Sequence, residues 1–377
     1  GGGAVHLAMK LPALRDLGWD CEAAVGLDGP LGSELTALGF RVHDVDLMER
    51  RLSPLRALRL ARLTARLAPD IVHLHGTRAA FFHAVGAAVR LPAASARGRR
   101  RPPVVYTIHG LAYRKDAGTL RRQVSLVAER VACRGAQAVI SVSRTDLSDL
   151  ERRHFVRTGR GFHIGNPVRI PTVDGAARTA ARQRLGLPLE SSVVGTVSRL
   201  VPQKAVRDLI EAVALIAPSF GSSASAPVLV IVGDGPQRAD LEQRVRAGVN
   251  GARVLLLGER DDVPQILPAF DVFALSSHWE GEPIALLEAM AAGLPCVATA
   301  TKGSQEVLGD STNGCLVAVG DVVAFGDALA GLLRDASARE AMGALARARV
   351  QSRTPDAQAA LVIDVYRQLL ASNTSSP

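Results

Sequence analysis

Aromatic residues make up only 4% of the 377 positions, which leaves few platforms for stacking against single-stranded nucleic acid. Cysteine is scarce too. Cys21, Cys133, Cys296 and Cys315 stand apart, with no CxxC pair and no clustering with histidine. That pattern argues against zinc and against a disulfide framework, and it fits a reducing cytosol. No apolar run reaches the roughly 18 residues of a membrane-spanning helix. The opening, GGGAVHLAMK, lacks the basic region and apolar block of a signal peptide. Repeats of solenoid period and coiled-coil heptads are absent as well.

What is present describes a folded globular protein, 47% apolar and 21% charged. Its length suits two domains better than one core. The net charge of +9 is unevenly placed: residues 1–175 carry 27 Lys+Arg against 15 Asp+Glu, and the remainder 18 against 21. A basic first half and a mildly acidic second half suggest domains with different partners. Nucleic acid, an anionic membrane surface and a phosphorylated substrate all match that charge. The excess of Arg over Lys equally matches a GC-rich genome, so charge alone decides nothing.

Short β-branched runs alternate with helical patterns. DIVHLH (70–75), PVVYTIHG (103–110), AQAVISVS (136–143), SSVVGTVSRL (191–200), PVLVIVGDG (227–235), ARVLLLGE (252–259), FDVFALSS (270–277) and LPCVATA (294–300) read as buried parallel strands. Helical patterns fall between and after them, at 204–217, 321–335 and 355–370. The expected class is α/β, with two doubly wound Rossmann-like domains. The Pro- and Gly-rich stretch GNPVRIPTVDGAARTA (165–180) reads as the linker. The expected division is therefore 1–175, 176–354 and a C-terminal helix over 355–377 that packs back toward the first domain. Such a domain ordinarily begins with a strand ahead of its first Gly-rich turn. Here Gly1-Gly2-Gly3 comes first, so the first strand is expected to be missing.

The stretch SSHWEGEPIALLEAMAAGLP (276–295) poses a chemical question. Glu288 sits among Ile284, Ala285, Leu286, Leu287, Ala289 and Met290, and an unpaired buried carboxylate costs several kcal/mol. Pro283 marks a helix start directly after a strand. Ligands bind at that end of parallel sheets, and free N–H groups there attract phosphate. Glu280 lies in the loop, and Glu288 lies about 7.5 Å up the helix from Pro283. A diol offers two donors to one carboxylate, which would satisfy Glu288. A buried Arg or a backbone amide would satisfy it equally well, and the segment alone leaves both open.

EGEPIALLEAMAAGLPCVAT resembles the E-x7-E signature of family 4 glycosyltransferases, retaining enzymes of the GT-B fold. GTVSRLVPQKAVRDLIEA, VGDGPQRADLE, GERDDVPQIL, DVFALSS and GSQEVL fall where that family has its counterparts. In the first half GGG, PDIVHLHG, VVYTIHG and ISVS also match. The resemblance covers essentially the whole chain and is most specific in the second half. It implies two domains facing a cleft. It also implies that Glu280 binds the hydroxyls of the donor sugar, that Glu288 binds the ribose diol, and that Arg199 and Lys204 contact the diphosphate. A cation pair after a strand suits that last role independently, since it can neutralise a leaving diphosphate. His109 would face the donor sugar and acceptor. Gly2, Gly3, Gly233, Gly281, Glu282, Pro283 and Ile284 would border the donor, and the Arg260 backbone would meet the base.

Two departures stand out. The family usually has an apolar residue at Glu282 and a glycine at Ala205. A carboxylate at 282 stabilises a helix start but competes with the diphosphate for the same potential. Metal chemistry is not expected. The DVD at 44–46 is a D-x-D pattern common by chance. His73 and His75 share one strand face without a carboxylate or third ligand, and read as packing or pocket lining. In RRLSPLRALRLARLTARLAP (50–69), Arg56, Arg59, Arg62 and Arg66 lie near one side and Leu55, Leu58, Leu63 and Leu67 across from it. With RGRRRPP (97–103), they read as a solvated face or as a dock on an anionic leaflet.

The expectation is a glycosyltransferase of cell-surface polysaccharide or glycoconjugate synthesis. It would use a nucleotide-diphosphate sugar, UDP before GDP, a glycan or lipid-linked acceptor, and no cofactor or metal. It would be cytoplasmic, at or near the inner face of the membrane, with no nucleic-acid partner. A nucleotide-sugar epimerase of the same fold and a basic nucleic-acid binder are the alternatives.

Overall fold

A computed structural model of the protein describes residues 2–27, 29–45, 54–88, 101–111, 113, 118–172, 174–221 and 226–374. Asp46 and most of the basic segments at 50–53 and 97–100 lie outside the described residues. The chain divides into two compact units. The first joins residues 1–167 to 355–377, and the second is 168–354. The break comes earlier than 175 because Val168 is already buried with Ala181, Leu187 and Val193 in the core of the second unit.

Among the described residues, twelve strands form three parallel sheets. In the first unit, β1 (Glu22–Val25) pairs with β2 (Arg41–Asp44) in a two-stranded sheet. A separate sheet runs in the order β3 (Val72–His75), β4 (Val104–Ile108), β5 (Ala138–Ser141), β6 (Gly161–His163). The helix Gly2–Asp16 precedes them all. In the second unit β7 (Val193–Val197), β8 (Val228–Val232), β9 (Arg253–Gly258), β10 (Val272–Leu275), β11 (Cys296–Thr299) and β12 (Cys315–Val317) form one sheet in the order β12-β11-β10-β7-β8-β9.

Successive residues of a strand point to opposite faces, so a sheet covered on both sides needs apolar residues at every position. β8 shows it: Val228, Val230 and Val232 enter one core, and Leu229 and Ile231 the other. β4 does the same, with Val104, Tyr106 and Ile108 on one side and Val105 on the other. The second face of that sheet is closed by Ala13 and Leu14 from the first helix and by Ala359, Val362, Ile363, Val365 and Tyr366 from the helix Pro355–Thr374. The chain thus returns to its first unit to complete that core.

The helix Pro54–Leu67 exposes Arg59, Arg62 and Arg66. Arg56 is buried and Leu55 exposed, which reverses the sides expected for those two. Among the described residues no helix is long and apolar enough to cross a membrane.

Candidate functional site

Two constellations gather the predicted residues, one in each unit. In the second unit, β7 and β10 are paired neighbours, so the loops leaving their carboxyl ends lie side by side. Backbone and side chains lace them together. His278 N–H donates to the Gln203 carbonyl at 2.8 Å, and Gln203 Nε2 donates to the Trp279 carbonyl at 2.9 Å. Ser276 Oγ reaches the carbonyls of Lys204 and Ala205 at 3.0 Å. Across this join the Lys204 ammonium pairs with Glu280, which also accepts from Ser277 Oγ at 2.6 Å. Arg199 is exposed and makes no ion pair among the described residues. Gly233 approaches from β8 at φ +131°, where a side chain would sit 2.0 Å from the Ser198 carbonyl, so only glycine lets that turn rest on the Arg199 loop.

Pro283 caps a helix that runs from Ile284 to Ala291. Gly281 and Glu282 lie in the loop before it. Glu282 and Pro283 are buried, whereas Gly281, Ile284, Ala285 and Glu288 are partly open. Ile284 and Glu288 are one turn apart and share a helix face. Glu282 has a partner that sequence reasoning missed: Arg353 Nη1 lies 2.5 Å from its Oε1. The Glu288 carboxylate has no hydrogen bond or ion pair among the described residues. Burial pushes its carboxyl up to about 7. Arg260 forms a two-point pair with Asp262, both contacts 2.7 Å, on an exposed loop.

The first unit holds the second constellation. His75 ends β3, and His109 follows the adjacent β4. Nδ1 of His75 lies 3.2 Å from Nε2 of His109. His6, from the helix Gly2–Asp16, meets the His109 ring edge-on with centroids 4.7 Å apart. Gly2 starts that helix, and a Cβ placed on Gly3 would lie 3.6 Å from the His109 ring. His6 Nδ1 donates to Asn166 Oδ1 at 2.7 Å, and its buried Nε2 has no hydrogen-bond partner among the described residues. His73 stacks on His75, but its nitrogens are engaged by the Tyr366 hydroxyl at 2.5 Å and Thr107 Oγ1 at 2.7 Å. Burial, with the Lys10 charge adding to it, holds His109 neutral down to about 4 and His73 to about 3. Burial likewise holds His6 and His75 well below the usual imidazole range.

The pair His73 and His75, read as lacking a third ligand, therefore has company. His6, His75 and His109 each bring one ring nitrogen within 4.8 Å of the others. They come from three elements far apart in sequence, and no spacing rule would have collected them.

Comparison with known proteins bears on both constellations. A family profile described as "Glycosyl transferase 4-like domain" matches residues 1–167, and one described as "Glycosyl transferases group 1" matches 177–349. A UDP-Gal:alpha-D-GlcNAc-diphosphoundecaprenol alpha-1,3-galactosyltransferase of Escherichia coli is 31% identical, over 80% of this chain and 76% of its own length. The chain belongs to glycosyltransferase family 4. Another relative of this glycosyltransferase is a D-inositol 3-phosphate glycosyltransferase of Xylanimonas cellulosilytica, 31% identical over 71% of the chain and 66% of the relative. Among solved structures, Anabaena Alr3699/HepE in complex with UDP superposes with a TM-score of 0.80 at 23% identity, covering 98% of this chain and 96% of that one. A sucrose-phosphate synthase from Thermosynechococcus elongatus gives 0.78 at 22%, covering 98% and 93%. These likenesses establish the GT-B fold. Glycosyl transfer rests on the family profiles and the named glycosyltransferase relatives, not on the fold, which an epimerase can share.

Proposed function

We propose that the enzyme moves a hexose or N-acetylhexosamine from a UDP-sugar to a hydroxyl of a glycan or lipid-linked acceptor, with retention at the anomeric carbon. The observation that carries this reading is Glu288, a partly buried carboxylate without a side-chain partner among the described residues, one turn into the helix Ile284–Ala291 that follows β10. A ribose diol supplies the two donors it lacks. The diphosphate would then lie toward the helix start at Pro283 and Ile284, where backbone N–H groups point outward. Arg199, without an ion pair among the described residues, and Lys204, beside Glu280, would receive it. Glu280, held by Lys204 and Ser277, would accept from the hydroxyls of the sugar. Gly233, Gly281 and the Arg260 backbone would border the nucleotide. Glu282, paired with Arg353, serves the site by fixing the loop rather than by touching the donor.

In the transfer, the bond from the anomeric carbon to the diphosphate oxygen breaks and a bond from that carbon to the acceptor oxygen forms. The acceptor proton passes to the departing phosphate. Negative charge grows on the diphosphate as it leaves, and the two cations stabilise that charge without a metal. His109, neutral at physiological pH, would act as a hydrogen-bond partner of the sugar and not as a cation.

Support for UDP comes from the names of similar proteins. The Escherichia coli relative is named for UDP-Gal, and HepE has been solved with UDP-glucose. The same relative's lipid-linked acceptor, together with the exposed Arg59, Arg62 and Arg66, supports a cytoplasmic enzyme working at an anionic leaflet. A thermal-shift panel of UDP-, GDP- and ADP-sugars on wild type and Glu288→Ala tests the reading. UDP-sugars should raise the melting temperature of the wild type alone. An equal response from the variant, or no response to any nucleotide, overturns it.

A further inference from the structure

We propose that His6, His75 and His109 form a three-histidine site for a divalent transition metal of the zinc class, and that a metal held there withdraws His109 from the transfer reaction. The second clause rests on the proposed function; the first stands without it.

Zinc binds imidazole nitrogen at 2.0–2.1 Å, so two ligands of one tetrahedral ion stand about 3.3 Å apart. The 3.2 Å between His75 Nδ1 and His109 Nε2 already matches that edge. One nitrogen of each ring lies within 4.8 Å of one nitrogen of each of the others, so no separation need shorten by more than about 1.5 Å, a motion one imidazole makes by turning about its χ bonds. His6 is built for the third position. Its Nδ1–H is fixed on the Asn166 carbonyl, which leaves the lone pair on Nε2 facing no protein donor. A carbonyl that accepts from the ring's other N–H and so sets its tautomer is the usual support of a ligating histidine. His75 and His109 are only partly buried, which gives an ion an entry path and leaves its fourth position to water.

Two neighbours limit the site. His73 has both nitrogens engaged and cannot join without losing Tyr366 or Thr107. The charge of Lys10, one turn along the helix from His6, acts on His6 and His109 and works against any cation. An all-nitrogen ligand set then selects zinc, copper or nickel over magnesium and calcium, which require oxygen.

Titrating the full chain with Co²⁺ and following its visible absorption tests the proposal. One equivalent should give the intense bands of a tetrahedral nitrogen site, and Zn²⁺ should displace them. His75→Ala, at a partly open position, and His6→Leu, at a buried one, should each weaken binding by more than the roughly 10–100-fold expected of the outer-shell change Asn166→Ala. His73→Gln should keep the bands. Lys10→Met should tighten binding, a gain that a misfolded variant cannot mimic. The absence of a saturable band, bands unchanged in both ligand variants, or a near-ultraviolet thiolate band marking cysteine would each overturn the site. In the transfer assay, Zn²⁺ should inhibit and chelator should restore activity; undiminished transfer with the site filled overturns the second clause. A chain that binds Co²⁺ yet transfers no sugar refutes the proposed function and leaves the metal site standing.

Discussion

Three carboxylates in one short stretch meet three different fates. Glu280 and Glu282 each find a cation, Lys204 and Arg353, while Glu288 is left desolvated and without an ion pair among the described residues. A carboxyl raised to about 7 from its usual range is mostly neutral at pH 6 and ionised at pH 8. Only the ionised form accepts from both hydroxyls of a diol. Nucleotide affinity measured by calorimetry should therefore rise between pH 6 and 8, and Glu288→Gln should bind weakly at both. The sign reverses for stability. A folded-state pKa above the unfolded one leaves the fold unpenalised at low pH and costs stability as pH rises toward 7, on the order of 3 kcal/mol. Glu288→Gln should then be the more stable protein at pH 8 in the absence of nucleotide. Ala205 is a smaller case: φ +45° places an L-residue in the left-handed region at the head of the helix Val206–Ile216. Ala205→Gly should gain about 0.5–1 kcal/mol in urea unfolding, the balance between relieved strain and added chain entropy.

At the scale of elements, all eight apolar runs read as buried strands are strands. Those that escaped reading are β1, β2, β6 and β12. EAAV, RVHD, GFH and CLV are short, and β1 and β2 are largely exposed, so neither strand carries the continuous apolar signal of a doubly covered one. The acids at 280 and 288 were legible because their loop and helix are contiguous in sequence. The Glu282–Arg353 pair and the histidine triad were not, because each spans elements that only the fold brings together. That ion pair holds the loop ahead of the helix Ile284–Ala291. With the Glu282 side chain at 2% exposure, losing Arg353 takes the cation away from a buried carboxylate. Arg353→Met should cost about 3–5 kcal/mol. Adding Glu282→Gln should recover most of that loss, giving a coupling energy above about 1 kcal/mol in a double-mutant cycle.

For the whole molecule, the helix Pro355–Thr374 belongs to the first unit although it follows the second in sequence. It buries Val362, Ile363, Val365 and Tyr366 against the sheet of β3 to β6, and each such side chain is worth about 1.5–3 kcal/mol. Their sum rivals the whole stability of a domain, about 5–15 kcal/mol. Deleting 355–377 should abolish the calorimetric transition of the first unit and leave that of the second in place.

The same return of the chain sets a timetable. Synthesis proceeds from the N-terminus, and domains generally fold as units while it does so. Residues 168–354 are continuous and can close as soon as they clear the ribosome. The first 167 residues, made earlier, wait with one sheet face covered only in part, by Ala13 and Leu14, until the helix Pro355–Thr374 arrives. The half that is translated first is thus the half that matures last, and through that interval its apolar sheet face is open to chaperones and to other nascent chains.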